Sequence, residues 1–368
     1  MSYKKWILGV VLLVIFLMSI YFAINIKLDI YHYWNAKEQS EIPFYSFVRE
    51  SKFKHISQNL DKYKGFIIGG SKAGAIDPEL VSKYEDKEFY NLCVTNGCFE
   101  DYKDYVQYIA ENTSAEKIIL HLGSVEALKY SFSKTPSAIT PTKTDDIKES
   151  LNMLLLSPKE IIRELTDKSI IHTHKNGAIN YTPTYGLVAG MGQEDYIKAY
   201  VLSDNAEYLF WRIFYQEKNL EAFNQNLEAM RHIVATCQNH NIELMVIIGP
   251  TFVTELYQYE GDVYWSYLRG LVSEVNYWDF SGFNYVNKNP YNFINSSHYN
   301  NATADKMIDI IYGKAELDGF GEYITPDNAN DYLDRRAQNF FESKNEFDET
   351  GTIKLLDKTD KNYIENKY

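Results

Sequence analysis

Two short segments, far apart in the chain, hold residues whose types and spacing suit nucleophilic catalysis. Ser71 lies in Gly69-Gly70-Ser71-Lys72-Ala73-Gly74, directly after the apolar run Gly65-Phe66-Ile67-Ile68-Gly69. His298 lies in Phe293-Ile294-Asn295-Ser296-Ser297-His298-Tyr299, directly before a stretch with helical spacing. A serine hydroxyl becomes a nucleophile when a base within hydrogen-bond reach takes its proton. The base needs a partner on its far ring nitrogen, which fixes its tautomer and orientation. Asn295, three residues before His298, is placed to be that partner. The chemistry such a set performs is acyl transfer through an acyl-serine. Each piece alone is unspecific, because a Gly-Gly-Ser after a strand is usually a turn with a helix cap. A lone histidine before a helix is usually a cap or a packing residue. The combination carries the signal, with a parallel sheet between the two segments.

The elements that must position these residues follow from periodicity. Gly65–Gly69, Glu88–Val94, Lys117–Leu122, Ile242–Ile248 and Asn276–Phe280 read as short strands. Glu100–Glu111 carries apolar or aromatic residues at Tyr102, Tyr105, Val106 and Ile109, a helical spacing. Leu220–His240 and Asn300–Tyr312 read as two further helices. Short apolar strands alternating with helices predict an α/β fold with a parallel central sheet covered on both faces. In such sheets ligands sit beyond the carboxyl ends of the strands. Ser71 falls there, and backbone N–H groups at the turn that follows can hold an oxyanion.

Residues 27–60 read as a polar, partly helical stalk, and residues 61–313 as the α/β domain. The rhythm breaks between about 129 and 216, which reads as an insertion capping the sheet. It opens on an exposed Ser/Thr/Pro-rich loop, Ser131–Thr144, and carries His172, His174 and a Gly-rich turn, Gly186–Gly192. Two histidines at this spacing in a loop are more often solvent-facing than metal ligands, and no metal or cofactor is expected. Residues 314–368 are rich in Asp, Glu, Lys and Asn and read as a peripheral helical tail, disordered at its end.

The net charge of −13 gives a nucleic-acid role no electrostatic support. Three cysteines, Cys93, Cys98 and Cys237, are too few for a disulfide framework. A Cys93–Cys98 bridge is conceivable, but free buried thiols are the expectation. The 31 tyrosines and 20 phenylalanines fit the general composition of the chain, rich also in Lys, Asn and Ile, better than a sugar-stacking role.

An apolar run without a charged residue extends from Ile7 to Ile26. A membrane-spanning helix needs roughly 20 such residues, whereas the apolar core of a cleavable signal peptide has about 7–15. Lys4 and Lys5 precede the run, and Lys27, offset by Asp29, follows it. The positive-inside rule therefore predicts a single-pass cell-membrane protein with residues 1–6 in the cytoplasm and the main domain outside.

Together these blocks resemble the SGNH-type hydrolases, and within them the membrane-anchored DltD-like and alginate-O-acetylation-like proteins. Members of that group open on a transmembrane helix and show a strand ending Gly-x-Ser, here Gly69-Gly70-Ser71. Their next block runs Asn-Leu-x-x-x-x-Gly, here Asn91-Leu92-Cys93-Val94-Thr95-Asn96-Gly97. Their last is Asp-x-x-His-Phe/Tyr, here Asn295-Ser296-Ser297-His298-Tyr299. Trp278-Asp279-Phe280-Ser281-Gly282 and Thr325-Pro326-Asp327-Asn328 are similar as well. The resemblance covers roughly residues 60–340 and is weakest between 129 and 216.

It implies a flavodoxin-like SGNH three-layer α/β/α fold, Ser71 as nucleophile, His298 as base, and backbone N–H groups of Ser71 and Gly97 as oxyanion hole. Gly123-Ser124-Val125 lacks the Gly-x-Asn block of the soluble esterases, so no Asn donor is assigned there. The family's carboxylate three residues before the histidine is Asn295 here. An amide can orient the ring, as Cys-His-Asn enzymes show, but it does not stabilise an imidazolium as a carboxylate does. Three readings follow: a slow but active enzyme, a substitute acid such as Asp279, or a non-catalytic member of the fold.

The resemblance further implies partnership with a membrane-bound O-acyltransferase in O-acylation, most plausibly O-acetylation, of a cell-surface polysaccharide or teichoic acid. A scaffold or binding protein of the same machinery, and a surface esterase, are the alternative expectations.

Overall fold

The computed structural model describes residues 3–38, 40–44, 47–123, 143–167, 171–181, 193–198, 220–257, 259–295, 297–351, 353–360 and 363–364. The Gly186–Gly192 turn and most of the Ser131–Thr144 loop lie outside the described residues.

The chain is an α/β protein built on a six-stranded, mostly parallel sheet. Its strands are β1 (Gly65–Gly69), β2 (Phe89–Cys93), β3 (Lys117–Leu122), β4 (Glu243–Ile248), β5 (Tyr277–Asp279) and β6 (Glu322–Ile324). The spatial order is β2-β1-β3-β4-β5-β6. The first five are parallel, and β6 pairs antiparallel with β5, Trp278 opposite Tyr323. Every residue of β1, β2 and β3 is buried. That is the physical reason these strands read as unbroken apolar runs: both of their faces are covered.

The helices are α1 (Tyr3–Leu28), α2 (Val48–Ser57), α3 (Pro78–Glu85), α4 (Phe99–Asn112), α5 (Lys143–Leu154), α6 (Pro158–Thr166), α7 (Leu220–Asn239), α8 (Asp262–Glu274), α9 (Asn301–Ile311) and α10 (Ala329–Thr350). With right-handed crossovers, the strand order puts α4, α7 and α8 on one face and α3 and α9 on the other. The contacts agree: α4 packs on α7, α7 on α8, and α3 on α9. The order 2-1-3-4-5 reverses direction between β1 and β3, and such a switch point opens a crevice at the strands' carboxyl ends.

α1 is long and apolar enough to cross a membrane, and none of its most apolar stretch is buried in the rest of the protein.

Two stretches differ from the sequence expectation. Residues 27–60 are not a stalk: Tyr31, Tyr33, Ile42 and Phe44 are buried, and α2 buries Arg49, Lys52, Phe53, His55 and Ile56. Lys52 donates to the carbonyls of Asn91, Cys93 and Gly177 at 2.7–3.0 Å, and so is satisfied inside the domain. The stretch after 313 is not peripheral either. It supplies β6 and α10, and α10 buries Leu333, Arg336 and Phe340.

Candidate active site

β1 ends at Gly69, and the chain turns at Gly70 into a 3-10 helix, Ser71–Ala75, whose first residue is Ser71. This turn is tied to the neighbouring strand by Asn91. From within β2, its side-chain N–H groups donate to the carbonyls of Ala73 at 2.8 Å and Ile76 at 2.9 Å. Asn91 is fully buried, so its place in the Asn-Leu block answers a structural need: it fixes the turn that presents the serine.

His298 comes from the other end of the domain. Phe293 bridges Tyr299, and the Ile294 N–H donates to the His298 carbonyl at 2.8 Å, closing a tight loop. Asn300 follows and caps α9 by accepting from the Thr303 N–H at 2.9 Å. Within the loop the Asn295 side-chain oxygen accepts from the Ser297 N–H at 2.9 Å and the His298 N–H at 2.8 Å.

These loops bring the expected residues together. Ser71 Oγ lies 2.7 Å from His298 Nε2, and His298 Nδ1 lies 3.0 Å from Asn295 Oδ1. The tautomer follows from hydrogen-bond logic. Backbone N–H groups are donors only, so the Asn295 atom facing them, and facing Nδ1, is the oxygen. Nδ1 therefore carries the proton and Nε2 accepts from the Ser71 hydroxyl. Ser71 and His298 are both half-buried, open enough for a substrate to reach them.

The electrostatics are less favourable to a charged ring. Burial pushes His298 down to about 3, and the Lys72 ammonium adds to that. Asn295 supplies no compensating charge. Lys72 is itself buried and pairs with Glu255 at 3.0 Å. Asp279 is not a substitute acid: it accepts from the Ser281 N–H at 2.7 Å and pairs with Arg336 at 3.1 Å, while Asn295 occupies His298 Nδ1.

Gly97 sits beside the serine loop. A Cβ on Gly97 would lie 3.0 Å from Gly70 Cα and 2.9 Å from the Tyr102 hydroxyl, so the absence of a side chain lets the two backbone segments approach this closely. Its turn, with Asn96 at φ 50°, is held by Arg49, which donates to the Thr95 carbonyl at 2.7 Å and pairs with Asp101.

Several residues of the site carry no local sequence signal. The Tyr181 hydroxyl donates to the Ser71 carbonyl at 2.7 Å, and its ring lies 5.5 Å from that of His298. Asn301 donates to the carbonyls of Ala75 and Ile179 and accepts from the Tyr181 N–H, linking α9, the serine turn and the segment carrying Tyr181. His121, near the end of β3, is fully buried and bonds the Tyr299 hydroxyl at 2.9 Å. Its neutral form is imposed by burial, which pushes it down to about 3. Gly249 makes room for it: a Cβ there would lie 2.0 Å from His121 Nε2.

Among the described residues no group of three or more His, Cys, Asp or Glu side chains is placed to hold a metal ion. Cys93, Cys98 and Cys237 are free and buried, without the Cys93–Cys98 bridge.

This arrangement can accept a proton from Ser71 at His298 Nε2 and hold the ring while it does so. Comparison with protein-family models and with curated proteins gives no match to this chain.

Proposed function

We propose that this protein is an SGNH-type serine acyltransferase or acylesterase, held outside the cytoplasm by α1, that serves O-acylation of a cell-surface polysaccharide or teichoic acid, O-acetylation above all. The observation that carries this reading is the 2.7 Å contact between Ser71 Oγ and His298 Nε2, with the far ring nitrogen oriented by Asn295.

In this reading Ser71 Oγ attacks the carbonyl carbon of an acyl donor, and its proton passes to His298 Nε2. The negative charge on the former carbonyl oxygen is met by the backbone N–H groups of Ser71 and Gly97. The donor's leaving group takes the proton from His298, and the acyl group stays on Ser71. A sugar hydroxyl then gives its proton to His298 and attacks the ester. The product leaves acylated, and the proton returns to Ser71. Water in place of the sugar gives hydrolysis. A cavity of about 210 Å³ lined by Asp77, Glu79, His174, Asn176, Asn301 and Asp305 is chemically suited to hydroxyl-rich ligands. Asn301 joins it to the serine turn. The acyl donor is supplied by a membrane-bound O-acyltransferase partner.

The tautomer of His298 supports activity despite the amide. In the Asp-to-Asn change of the serine-protease triad, about 10⁴ in kcat is lost because the wrong tautomer forms. Here two backbone N–H groups hold the Asn295 oxygen toward Nδ1, so the right tautomer forms. What is missing is stabilisation of the imidazolium. That deficit favours a second reading, a non-catalytic scaffold of the same machinery. Replacement of Ser71 by Ala in cells is expected to abolish acylation of the polymer, measured by release of acetate from purified wall material. Unchanged acylation would contradict the catalytic reading.

A further inference from the structure

The end of α1 is tied to the corner between α5 and α6. The Tyr21 hydroxyl donates to the Leu156 carbonyl, and Asn25 Nδ2 donates to the Leu154 carbonyl at 2.6 Å. Asn25 is the one buried residue of α1. Tyr31, Tyr33, Met153 and Leu156 pack beside this joint in an apolar cluster separate from the main core. Tyr21 and Asn25 lie inside the apolar run that ends at Ile26, within about 8 Å of its end at ~1.5 Å rise per residue. A helix corner at that depth has no water to satisfy its carbonyls, so protein groups must do so. Tyr21 and Asn25 do this for Leu156 and Leu154.

The two helices that leave this corner carry an unusual surface. Ile147, Leu151 and Leu155 follow one another at four-residue spacing, 61%, 46% and 52% exposed. Ile162 and Leu165 on α6 are 60% and 62% exposed. Among the described residues outside α1, every exposed large aliphatic side chain belongs to α5, α6 or the corner between them. Exposed aliphatic side chains concentrated on two consecutive helices mark an interaction surface. Its position says what covers it, because both helices leave a corner that is tied to the end of the apolar run of α1. Lys27, Lys148 and Lys159 are exposed on the same elements and suit anionic headgroups.

We propose that α5 and α6 lie in the membrane interface, with Leu151, Leu155, Ile162 and Leu165 inserted into the acyl boundary of the lipid bilayer. The domain is then seated on the bilayer by a helix that spans it and a helix pair that lies in it. Its height and tilt are fixed rather than left to a tether. This inference rests on α1 spanning the membrane and is independent of the chemistry at Ser71.

The test uses the full chain in liposomes of phosphatidylcholine and phosphatidylglycerol. Leu155→Cys and Ile162→Cys variants are labelled with a nitrobenzoxadiazole fluorophore, with Glu349→Cys on α10 as the aqueous control. The native cysteines are buried and do not compete for label. Quenching by doxyl-labelled lipid is expected to be at least about threefold stronger at 155 and 162 than at 349, since interfacial helices bury their apolar face ~5–10 Å deep. Equal quenching at the three sites would overturn the proposal. So would protection of 155 and 162 that appears only in native membranes, which would assign the patch to a protein partner.

Discussion

At the scale of single residues, the candidate site is a serine whose base is well oriented but poorly charged. Asn295 fixes the His298 tautomer through one oxygen that also accepts two backbone N–H groups. Burial, with Lys72 adding, holds His298 down at about 3. A base whose pKa is depressed stays unprotonated well below the usual histidine range, so kcat/KM for a small ester is expected to stay flat from pH 8 down to about 5. Asn295→Asp should restore charge to the far side of the ring and raise the His298 pKa. The acid limb of the profile should then move up toward pH 6, and the rate near pH 8 should rise by roughly 10²-fold, within the ~10⁴ attached to that carboxylate in the protease triad. A profile that does not move would show that Asn295 has no hold on His298. Ser71, Asn295 and His298 were legible in the sequence because each stands at a strand or helix boundary, where the chemistry of α/β proteins gathers. Lys72–Glu255 and Tyr181 were not, because they meet the site across more than a hundred residues or without a local pattern.

At the scale of elements, the serine turn depends on its neighbours. Asn91 is the link that ties the Ser71–Ala75 turn to β2. Asn91→Ala leaves the carbonyls of Ala73 and Ile76 buried without those donors, at a cost of about 1–3 kcal/mol. The variant should show a lowered unfolding midpoint and also a loss in kcat, since the turn then presents Ser71 less rigidly. A lowered midpoint with unchanged kcat would show that the presentation of Ser71 does not depend on Asn91. The strands were legible because burial on both faces leaves continuous apolar runs. α2 was not, because its sequence, Val-Arg-Glu-Ser-Lys-Phe-Lys-His-Ile-Ser, is polar. Its polar side chains are buried by finding partners: Arg49 on Asp101 and Lys52 on backbone carbonyls. Composition alone reads such a helix as surface. β6 is silent in the sequence for another reason: only Ile324 of its three residues is buried, so no apolar run marks it.

At the scale of the whole molecule, the C-terminal part closes the fold around one buried guanidinium. Arg336 of α10 pairs with Glu260 and with Asp279 at the end of β5, and bonds Ser281 and Tyr332 as well. Arg336 and both carboxylates are essentially unexposed. Removing the arginine strands two buried carboxylates, so Arg336→Met is expected to destabilise the protein by about 3–5 kcal/mol. Denaturant unfolding in detergent measures this, and a loss below about 1 kcal/mol would show that the network is not what fixes α10. An acidic stretch read from composition as a peripheral tail thus serves as a wall of the core, because Arg336 at its centre has two partners far away in sequence. α1 was fully legible as an apolar run, whereas its joint with α5 and α6 was visible only in three dimensions.

The proposed function stands on His298 activating Ser71 for attack on an acyl carbon. The most direct measurement is labelling of the purified full-length protein with a fluorophosphonate probe, with the modified residue located by peptide mass spectrometry. One modified residue, Ser71, is expected, with a loss of labelling of roughly 10²-fold or more in His298→Ala, within the ~10²–10⁴ that general-base assistance contributes. Labelling of Ser71 at an unchanged rate in His298→Ala, or no labelling of Ser71 in the unmodified protein, would contradict it.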